Sequence, residues 1–391
     1  MTDPVEREHS EHEVRYHRPF RAALPGLIHE VRDLDTLEAL LTTGAALRGS
    51  RLKALDLTHV EEQLLAREDL EGLIVLGGAV PPALEQHLRR CGAIIFPAAP
   101  HAPVRPYRGS LYTADELYDG LAEHGYEQTT DAKAYRWLQD ATVRHDAYVT
   151  VLRAIHDDAM SDALVDVVSE RKVVGVMGGH ALARGSAGFR DAARLGFTLA
   201  EAGYVVATGG GPGAMEAANL GAWCRSADLL EPALEQLVTV PHFDQGVGAW
   251  AQVALDVVHA AYGTDRPPSP LRSLGIPTWH YGHEPPNVFG DLIAKFFSNA
   301  LREDLLLHHS TSGLVVLPGA AGTVQEIFQM ATRLYYEVDH RVPPLVLVDR
   351  RHWTEHLPVF PLLEALGRDR AMAAQLHLVD TVEEAASLLI G

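Results

Sequence analysis

The feature of this sequence that most constrains its fold is a pattern repeated in the second half, where a short apolar run leads into glycine and then into a helix. Three such runs are KVVGVMGG from Lys172, YVVATGGGPG from Tyr204 and LVVLPG from Leu314. Continuous apolar runs are typical of parallel strands that are buried on both faces. The pattern predicts a doubly wound α/β domain with a parallel sheet, in which ligands bind outside the carboxyl ends of the strands.

Helix and strand patterns also alternate between about residues 35 and 125, which predicts a second α/β region. Residues 131 to 169 contain no Gly or Pro and predict one or two long helices. We place a domain boundary within this helical stretch, near residue 145. The prediction is an N-terminal α/β domain of unknown role over residues 1–145 and a Rossmann-like domain over residues 146–391.

Two further segments have a distinct composition. The polar segment before about residue 30 is expected to be a mobile or surface-wrapping arm. Residues 241–300 are rich in Pro, His and aromatic residues, and this irregularity suggests a lid, a binding loop or an oligomer contact.

The charge balance narrows the partners that are expected. The chain has 33 basic and 52 acidic residues, a formal net charge of −19, which argues against an extended basic surface for nucleic acid or anionic lipid. The N-terminus lacks the apolar centre of a signal peptide and no run of about 18 apolar residues occurs, so we expect a soluble cytoplasmic protein. A small anion can still bind at a local site made of backbone N–H groups.

Glycine-rich turns follow three of the predicted strands, at 178–180, 209–213 and 318–323. Where a parallel strand leads into a helix, unpaired N–H groups and the positive end of the helix dipole point towards the same place. The dipole contributes only about 0.3–1 kcal/mol, so charge-assisted hydrogen bonds of about 1.5–3 kcal/mol each must add to it. Three such turns favour a phosphate-bearing ligand, although a single one is often needed only for backbone conformation.

Two named nucleotide motifs do not fit. No G-K-[ST] ending occurs, so a Walker A loop is excluded. Residues 209–214 match G-x-G-x-x-A, but they follow the second strand of the series. The next predicted strand, LEQLVTV from Leu234, is followed by no acid for a ribose hydroxyl. An NAD-dependent oxidoreductase is therefore a weaker alternative.

Four motifs occur in a characteristic order: GGH at 178–180, GGGPGAME at 209–216, EPPN at 284–287 and PGAAGTVQE at 318–326. With these motifs, residues from about 170 to 391 resemble the Lonely Guy (LOG) family of nucleoside 5′-monophosphate phosphoribohydrolases. The resemblance is closest to the large pyrimidine/purine nucleotide 5′-monophosphate nucleosidases. It implies hydrolysis of the N-glycosidic bond of a nucleoside monophosphate to free base and ribose 5-phosphate, without a cofactor.

The resemblance implies that Glu326 and Arg302 are the catalytic pair, with the carboxylate beneath the sugar and the guanidinium orienting the base or Glu326. Ala320 stands where the family has Gly. The remaining site residues expected from the motifs are Gly179, His180, Gly210, Gly211, Gly213, Met215, Glu216, Pro318, Gly319, Gly322 and Thr323.

Within this set, Gly319, Gly322 and Thr323 are expected to hold the phosphate, and Gly210, Gly211 and Gly213 are expected to form a wall beside the nucleotide. Met215 is expected near the base and Glu216 at the ribose hydroxyls. Met215 could instead belong to the core, and Glu216 could be a solvated acid in the first turn of a helix. His180 could be a loop histidine without a ligand contact. Thr323 and Glu326 also match a T-x-x-E capping box.

The sequence also bears on a metal site, on lysine-dependent chemistry and on oligomerisation. His280 with His283, or His308 with His309, has no accompanying ligand at metal-binding spacing, so no metal is expected. Relatives are often labelled lysine decarboxylases, but none of the four lysines lies in a glycine-rich turn, and Lys295 is expected on a helix over DLIAKFF. A non-catalytic nucleotide sensor is the main alternative function. A homodimer or higher homo-oligomer is expected.

Overall fold

The computed structural model describes residues 30–263, 270–281, 284–337 and 342–391, so the predicted N-terminal arm lies almost entirely outside the described residues. The chain divides into two compact units, the first ending at Pro100 and the second beginning at His101. Among the described residues, no helix has the length and apolar composition needed to cross a membrane.

The first unit is a four-stranded parallel sheet in the order β1-β2-β3-β4 with helices between the strands. Its elements are β1 (Glu30–Val31), α1 (Leu34–Thr43), β2 (Arg51–Lys53), α2 (Glu61–Leu65), β3 (Ile74–Leu76), α3 (Pro82–Arg90) and β4 (Ile94–Phe96). Helix α1 begins where the Asp33 carboxylate accepts the Thr36 N–H, and it ends at Gly44 with φ +69°. The alternation predicted from the sequence is confirmed here.

The second unit contains the remaining elements. Its helices are α4 (Ala114–Leu117), α5 (Leu121–His124), α6 (Thr130–Gln139), α7 (Ala147–Val168), α8 (Ala187–Glu201), α9 (Ala214–Trp223), α10 (Ala227–Leu237), α11 (Val247–Tyr262), α12 (Asn299–His309), α13 (Ala321–Tyr336), α14 (Val359–Gly367) and α15 (Val382–Ile390). Its strands are β5 (Val173–Met177), β6 (Val205–Thr208), β7 (Ser273–Gly275), β8 (Leu292–Ile293), β9 (Gly313–Val316), β10 (Leu345–Val348) and β11 (Leu376–Val379).

The seven strands form one parallel sheet in the order β11-β10-β9-β5-β6-β7-β8. Gly175 of β5 pairs with Ala207 of β6 on one side and with Leu314 of β9 on the other. The chain runs outwards from β5 through β8 and then returns to β9, so the strand order reverses between β5 and β9. This confirms the doubly wound α/β class, and the reversal marks the edge where such sheets bind ligands.

The boundary between the units falls earlier than the sequence-based boundary near residue 145, because α4 to α7 pack with the second unit. Tyr112 exchanges two backbone hydrogen bonds of 2.8 Å with Ile293. The Tyr118 hydroxyl donates to the Pro286 carbonyl at 2.6 Å. Residues 101–145 are therefore anchored to the larger unit by contacts that are distant in sequence.

Two local predictions were wrong. LEQLVTV is not a strand but the end of α10 and the turn after it. Leu230, Leu234 and Leu237 are buried at helical spacing on α10. DLIAKFF is not a helix: it begins with β8, and Lys295 is fully buried in an ion pair with Asp131. A charged residue among apolar ones mimicked an amphipathic pattern, but its carboxylate partner lies far away in sequence.

The segment over residues 241–300 is also more regular than predicted, within the part that the structure describes. It contributes the 16-residue helix α11 and the strands β7 and β8 of the main sheet. The two strands have only three and two residues, which is too short for periodicity to reveal them. This segment therefore builds one edge of the main sheet.

Candidate active site

The second unit has a cavity of about 670 Å³ at the carboxyl ends of β5, β6 and β9, which is the candidate functional site. It lies at the reversal of strand order described above. Ten of the residues expected at the site line it: Gly179, His180, Gly211, Met215, Arg302, Pro318, Gly319, Gly322, Thr323 and Glu326.

The three glycine-rich turns meet at this cavity and are joined by backbone hydrogen bonds. The Gly179 N–H donates to the Pro318 carbonyl at 3.0 Å, and the Ala214 N–H donates to the Gly179 carbonyl at 3.1 Å. Gly213 has φ +72°, and a Cβ there would lie 2.5 Å from the Gly179 carbonyl oxygen. Gly213 is thus required by backbone conformation and by the close approach of its neighbour.

The turn after β9 leads into the N-terminus of α13. The first hydrogen bond of this helix runs from the Val324 N–H to the Ala320 carbonyl at 3.0 Å. The N–H groups of the preceding helical residues, from Ala321 to Thr323, therefore have no acceptor within the helix. Ala320, where a Gly was expected, has φ −120°, so this position does not use the left-handed conformation that favours Gly.

The capping-box alternative for Thr323 and Glu326 is wrong, because α13 begins at Ala321 and Ala320 occupies the N-cap position without a side-chain hydrogen bond. Thr323 is buried within the first turn and crowds Gly319, where a Cβ would lie 2.2 Å from the Thr323 Oγ1. Glu326 lies about 6 Å along the helix axis from Gly322, at 1.5 Å per residue. Its side chain points back towards the helix start.

Glu326 and Arg302 form an ion pair inside the cavity. The Arg302 Nη1 lies 3.3 Å from the Glu326 Oε1, and the two side chains are 8% and 15% exposed. Burial raises the pKa of Glu326 to about 7; Arg302 opposes this rise, whereas the nearby Glu303 and Glu284 add to it. A carboxyl group with such a pKa can exchange a proton near neutral pH.

Helix α12 supplies two further polar side chains that the sequence analysis missed. The Arg302 Nη2 donates to the Asn299 Oδ1 at 2.7 Å, and the Asn299 Nδ2 donates to the Glu303 Oε1 at 2.7 Å. Glu303 is buried and lines the cavity. The spacing of these residues at i, i+3 and i+4, which places them on one face of a helix, is the signal that could have revealed them.

The start of α12 is held by a buried carboxylate from α7. The Asp157 Oδ1 accepts the Phe297 N–H at 2.9 Å, and its Oδ2 accepts the Ser298 N–H at 2.8 Å. Asp157 also contacts the His156 Nδ1 at 3.1 Å, and the His156 Nε2 lies 2.7 Å from the Tyr112 hydroxyl. Because α12 carries Arg302, this chain of contacts fixes the position of the guanidinium.

His180 and Met215 lie at the cavity as expected. The His180 Nδ1 is 3.1 Å from the Glu284 Oε1. Met215 covers the second glycine-rich turn, since a Cβ on Gly209 would lie 2.8 Å from its Sδ, and one on Gly211 would lie 2.9 Å from its Cε. The absence of side chains in this turn thus makes room for the Met215 thioether.

His352 is another lining residue that the sequence analysis missed. It begins a π-helical turn after β10, and its Nε2 lies 3.1 Å from the Gly319 carbonyl oxygen. The imidazole therefore holds the turn that precedes α13. No motif surrounds His352, and its role follows only from the pairing of β10 with β9.

The prediction that Glu216 contacts the ribose hydroxyls was wrong, because Glu216 does not line the cavity. Its carboxylate is 1% exposed and accepts from the Arg184 Nε at 3.1 Å. Arg184 also donates to the carbonyls of Val240 at 3.2 Å and Trp250 at 3.1 Å. Neither contact with a ribose nor solvation, the two roles considered for Glu216, agrees with this buried ion pair.

Gly210 and Gly213 are also absent from the cavity wall. Gly210 has φ +67°, and its carbonyl accepts the Asn287 N–H at 2.8 Å. The Asn287 Nδ2 donates to the Gly211 carbonyl at 3.0 Å. The asparagine of the EPPN motif therefore holds the second glycine-rich turn in place.

Among the described residues, no group of three or more His, Cys, Asp or Glu side chains is arranged to hold a metal ion; His283 lies outside them. None of the lysines lines the cavity: they are Lys53, Lys133, Lys172 and Lys295. A pyridoxal phosphate enzyme needs a lysine at the cofactor, so the residues of this cavity do not fit that cofactor.

The fold and the cavity define an α/β protein with a glycine-lined cleft and a Glu–Arg pair at the reversal point of a parallel sheet. Residues 268–389 match a family described as possible lysine decarboxylase, and residues 171–228 match the SLOG cluster4 family. These two segments are therefore similar to the LOG/SLOG family.

Other comparisons give less. No curated protein matches the chain. One solved structure that matches part of the chain is the molybdenum cofactor binding protein from the phototrophic bacterium Rippkaea orientalis. It is 18% identical with a TM-score of 0.34, over 56% of this chain and 96% of that one.

Proposed function

We propose that this protein hydrolyses the N-glycosidic bond of nucleoside 5′-monophosphates to free base and ribose 5-phosphate. The observation that carries the proposal is the position of Glu326. Its buried carboxyl group, whose pKa is raised to about 7, shares one cavity with the N-terminus of α13. The similarity of two segments to the LOG/SLOG family supports an activity on nucleotides.

The phosphate group would bind at the start of α13. Three backbone N–H groups without intrahelical acceptors, the helix dipole and the Thr323 hydroxyl supply the donors. Pro318 and Gly319 line the same part of the cavity. Main-chain donors can bind an anion in a protein with a net charge of −19 because they need no basic side chain.

The sugar would then lie near Glu326. Cleavage of the glycosidic bond leaves positive charge on the pentose, which a carboxylate beneath the ring stabilises. The same carboxylate can accept a proton from the attacking water, a contribution of roughly 10²–10⁴-fold. Its pKa of about 7 leaves a substantial ionised fraction near neutral pH.

Arg302 would keep this carboxylate in place. Its guanidinium donates to both Glu326 and Asn299, and a planar fork holds two acceptors at fixed geometry better than an ammonium group does. The positive charge of Arg302 also favours the ionised form of Glu326. Met215 and the second glycine-rich turn would form a wall beside the nucleoside.

The test is replacement of Glu326 by Gln, which keeps the size of the side chain and removes its charge. We expect the variant to bind nucleoside monophosphates in calorimetry and to lose at least about 100-fold in base release. Glu337→Gln, an exposed change at the other end of α13, is the matched control and should retain activity. A non-catalytic sensor would instead show binding without base release in the unchanged protein.

A further inference from the structure

The cavity contains a second buried carboxylate that the proposed reaction does not use. Glu303 follows Arg302 on α12, is 7% exposed and lines the cavity. Burial of a carboxylate is costly unless its oxygens receive hydrogen bonds. The hydrogen bonds that the Glu303 carboxylate accepts from the protein therefore show how many of its acceptor sites are left for a ligand.

Each oxygen of Glu303 has one short protein donor. The Asn299 Nδ2 donates to Oε1 at 2.7 Å, and the Gln325 Nε2 donates to Oε2 at 2.7 Å. The Arg302 Nη2 is 3.8 Å from Oε1, beyond hydrogen-bond distance. A carboxylate offers about four acceptor sites, so capacity remains on a group that faces the cavity.

Two polar side chains near Glu303 already form hydrogen bonds with other groups of the protein. The Thr278 hydroxyl lines the cavity and donates to the Phe296 carbonyl at 3.0 Å. The Arg302 guanidinium is shared between Asn299 and Glu326. A phosphate would be repelled by Glu303, so the part of a ligand that approaches it must carry no negative charge and must present an N–H or O–H group.

We propose that Glu303 is a specificity-determining residue, which accepts a hydrogen bond from a ribose hydroxyl or an exocyclic amine of the bound nucleotide. The inference rests on the proposed function, because it assumes that a nucleoside monophosphate occupies the cavity. It predicts that ligands lacking that one donor bind less well, while the phosphate contacts stay the same.

The experiment measures binding to Glu326→Gln protein, so that turnover does not interfere. The ligands are AMP, 2′-deoxy-AMP, 3′-deoxy-AMP and the purine analogue with hydrogen in place of the 6-amino group. CMP and its analogue with hydrogen at C4 extend the test to pyrimidines. A hydrogen bond to a charged group corresponds to roughly 10-fold to 100-fold in affinity, and we expect one of the analogues to lose that much.

The same panel is then measured with Glu303→Gln added, and we expect the preference to shrink, because an uncharged amide oxygen is a weaker acceptor than a carboxylate. Which analogue is affected distinguishes a ribose hydroxyl from a base amine. If Glu303 only positions Asn299 and Gln325, the added change will weaken every ligand by one common factor, which would overturn the proposal. Equal binding of all analogues to the Glu326→Gln protein would overturn it without any change at Glu303.

These outcomes are separable from failure of the proposed function. Discrimination among ligands, together with no base release by the unchanged protein, would refute the hydrolase and leave the role of Glu303 intact. Base release without discrimination would refute only the role of Glu303. Absence of binding by AMP, GMP, CMP and UMP alike would overturn both.

Discussion

The Arg302 Nη1 lies 3.3 Å from the Glu326 Oε1, although the two residues are 24 positions apart and lie on different helices. Strand β9 separates these helices in sequence and pairs with β5 in the centre of the sheet. The pair is thus fixed by the sheet and not by a mobile loop. Burial and two neighbouring acids raise the pKa of Glu326, and Arg302 limits the rise.

The first prediction concerns pH and activity. With a pKa of about 7, Glu326 is protonated below neutral pH and cannot act as a base, so kcat/KM should rise with pH and level off above about pH 8. Glu303→Gln removes a nearby like charge and should move the midpoint to lower pH. A pH–rate profile of both proteins is the measurement, and a flat profile between pH 6 and 8 would contradict the assignment.

The raised pKa of Glu326 also makes the stability of the folded protein depend on pH, and here protonation is favourable, although it removes activity. Its pKa is higher in the folded chain than its ordinary value of 4.5, so the folded state holds the proton more tightly. Stability from this group is present below about pH 4.5 and is lost as pH rises towards 7. Urea unfolding gives the free energy of unfolding of Glu326→Gln and of the unchanged protein. The difference between them should favour the variant more at pH 8 than at pH 5.

The second prediction concerns Gly322, the second residue of α13. A Cβ there meets nothing within 4 Å, and Gly→Ala within a helix stabilises by about 0.5–1 kcal/mol. We expect Gly322→Ala to keep or raise the melting temperature but to weaken nucleotide binding about 10-fold, because the methyl group stands where the phosphate would approach. Thermal unfolding and calorimetry measure the two effects.

Gly248 provides the control for this change, since it holds the same second position in α11 and its Cβ would make only ordinary contacts from 3.7 Å. Gly248→Ala should change stability alone. Unchanged nucleotide affinity in Gly322→Ala would place the phosphate elsewhere.

The third prediction concerns Asp157, which holds the start of α12. Asp157→Asn replaces one of the two accepting oxygens by a donor, and a buried N–H left without a partner costs about 1–3 kcal/mol. We expect kcat to fall about 10-fold with little change in KM, and the pH midpoint to rise as Arg302 moves away from Glu326. Asp158→Asn, an exposed change on the same helix, is the control. A loss of stability with an unshifted pH profile would show a purely structural role.

The fourth prediction concerns Glu216. Removing one partner of a buried ion pair costs about 3–5 kcal/mol, so Glu216→Gln should lower the free energy of unfolding by up to about that amount. The KM for a nucleotide should stay the same, since Glu216 does not line the cavity. The exposed pair of Arg190 and Glu231 supplies the control, because Glu231→Gln should cost less than about 1 kcal/mol. A raised KM with unchanged stability would restore Glu216 to the site.

The doubly wound class could be predicted from the sequence because β5, β6 and β9 are continuous apolar runs that end at glycine. Lys295 and LEQLVTV were misassigned because their contexts depend on distant residues: Asp131 for Lys295 and the packing of α10 for the other. Tertiary contacts decide such segments, and local patterns do not record them.

The difference between local patterns and distant contacts also explains which residues of the cavity could be predicted. Lining residues that belong to a motif, such as Gly319 and Glu326, could be found from the sequence. His352 could not, since its place in the cavity comes only from the pairing of β10 with β9, whereas Glu303 was signalled only by its helical spacing beside Arg302. Glu216 belongs to a motif but serves a buried ion pair, so a motif identifies a neighbourhood without giving each residue its role.

The most direct test is to incubate the protein with a panel of nucleoside 5′-monophosphates and to identify the products by chromatography. Cleavage next to Glu326 predicts equal amounts of free base and ribose 5-phosphate from at least one nucleotide. Intact nucleotides throughout, or nucleoside and inorganic phosphate as the products, would contradict the account.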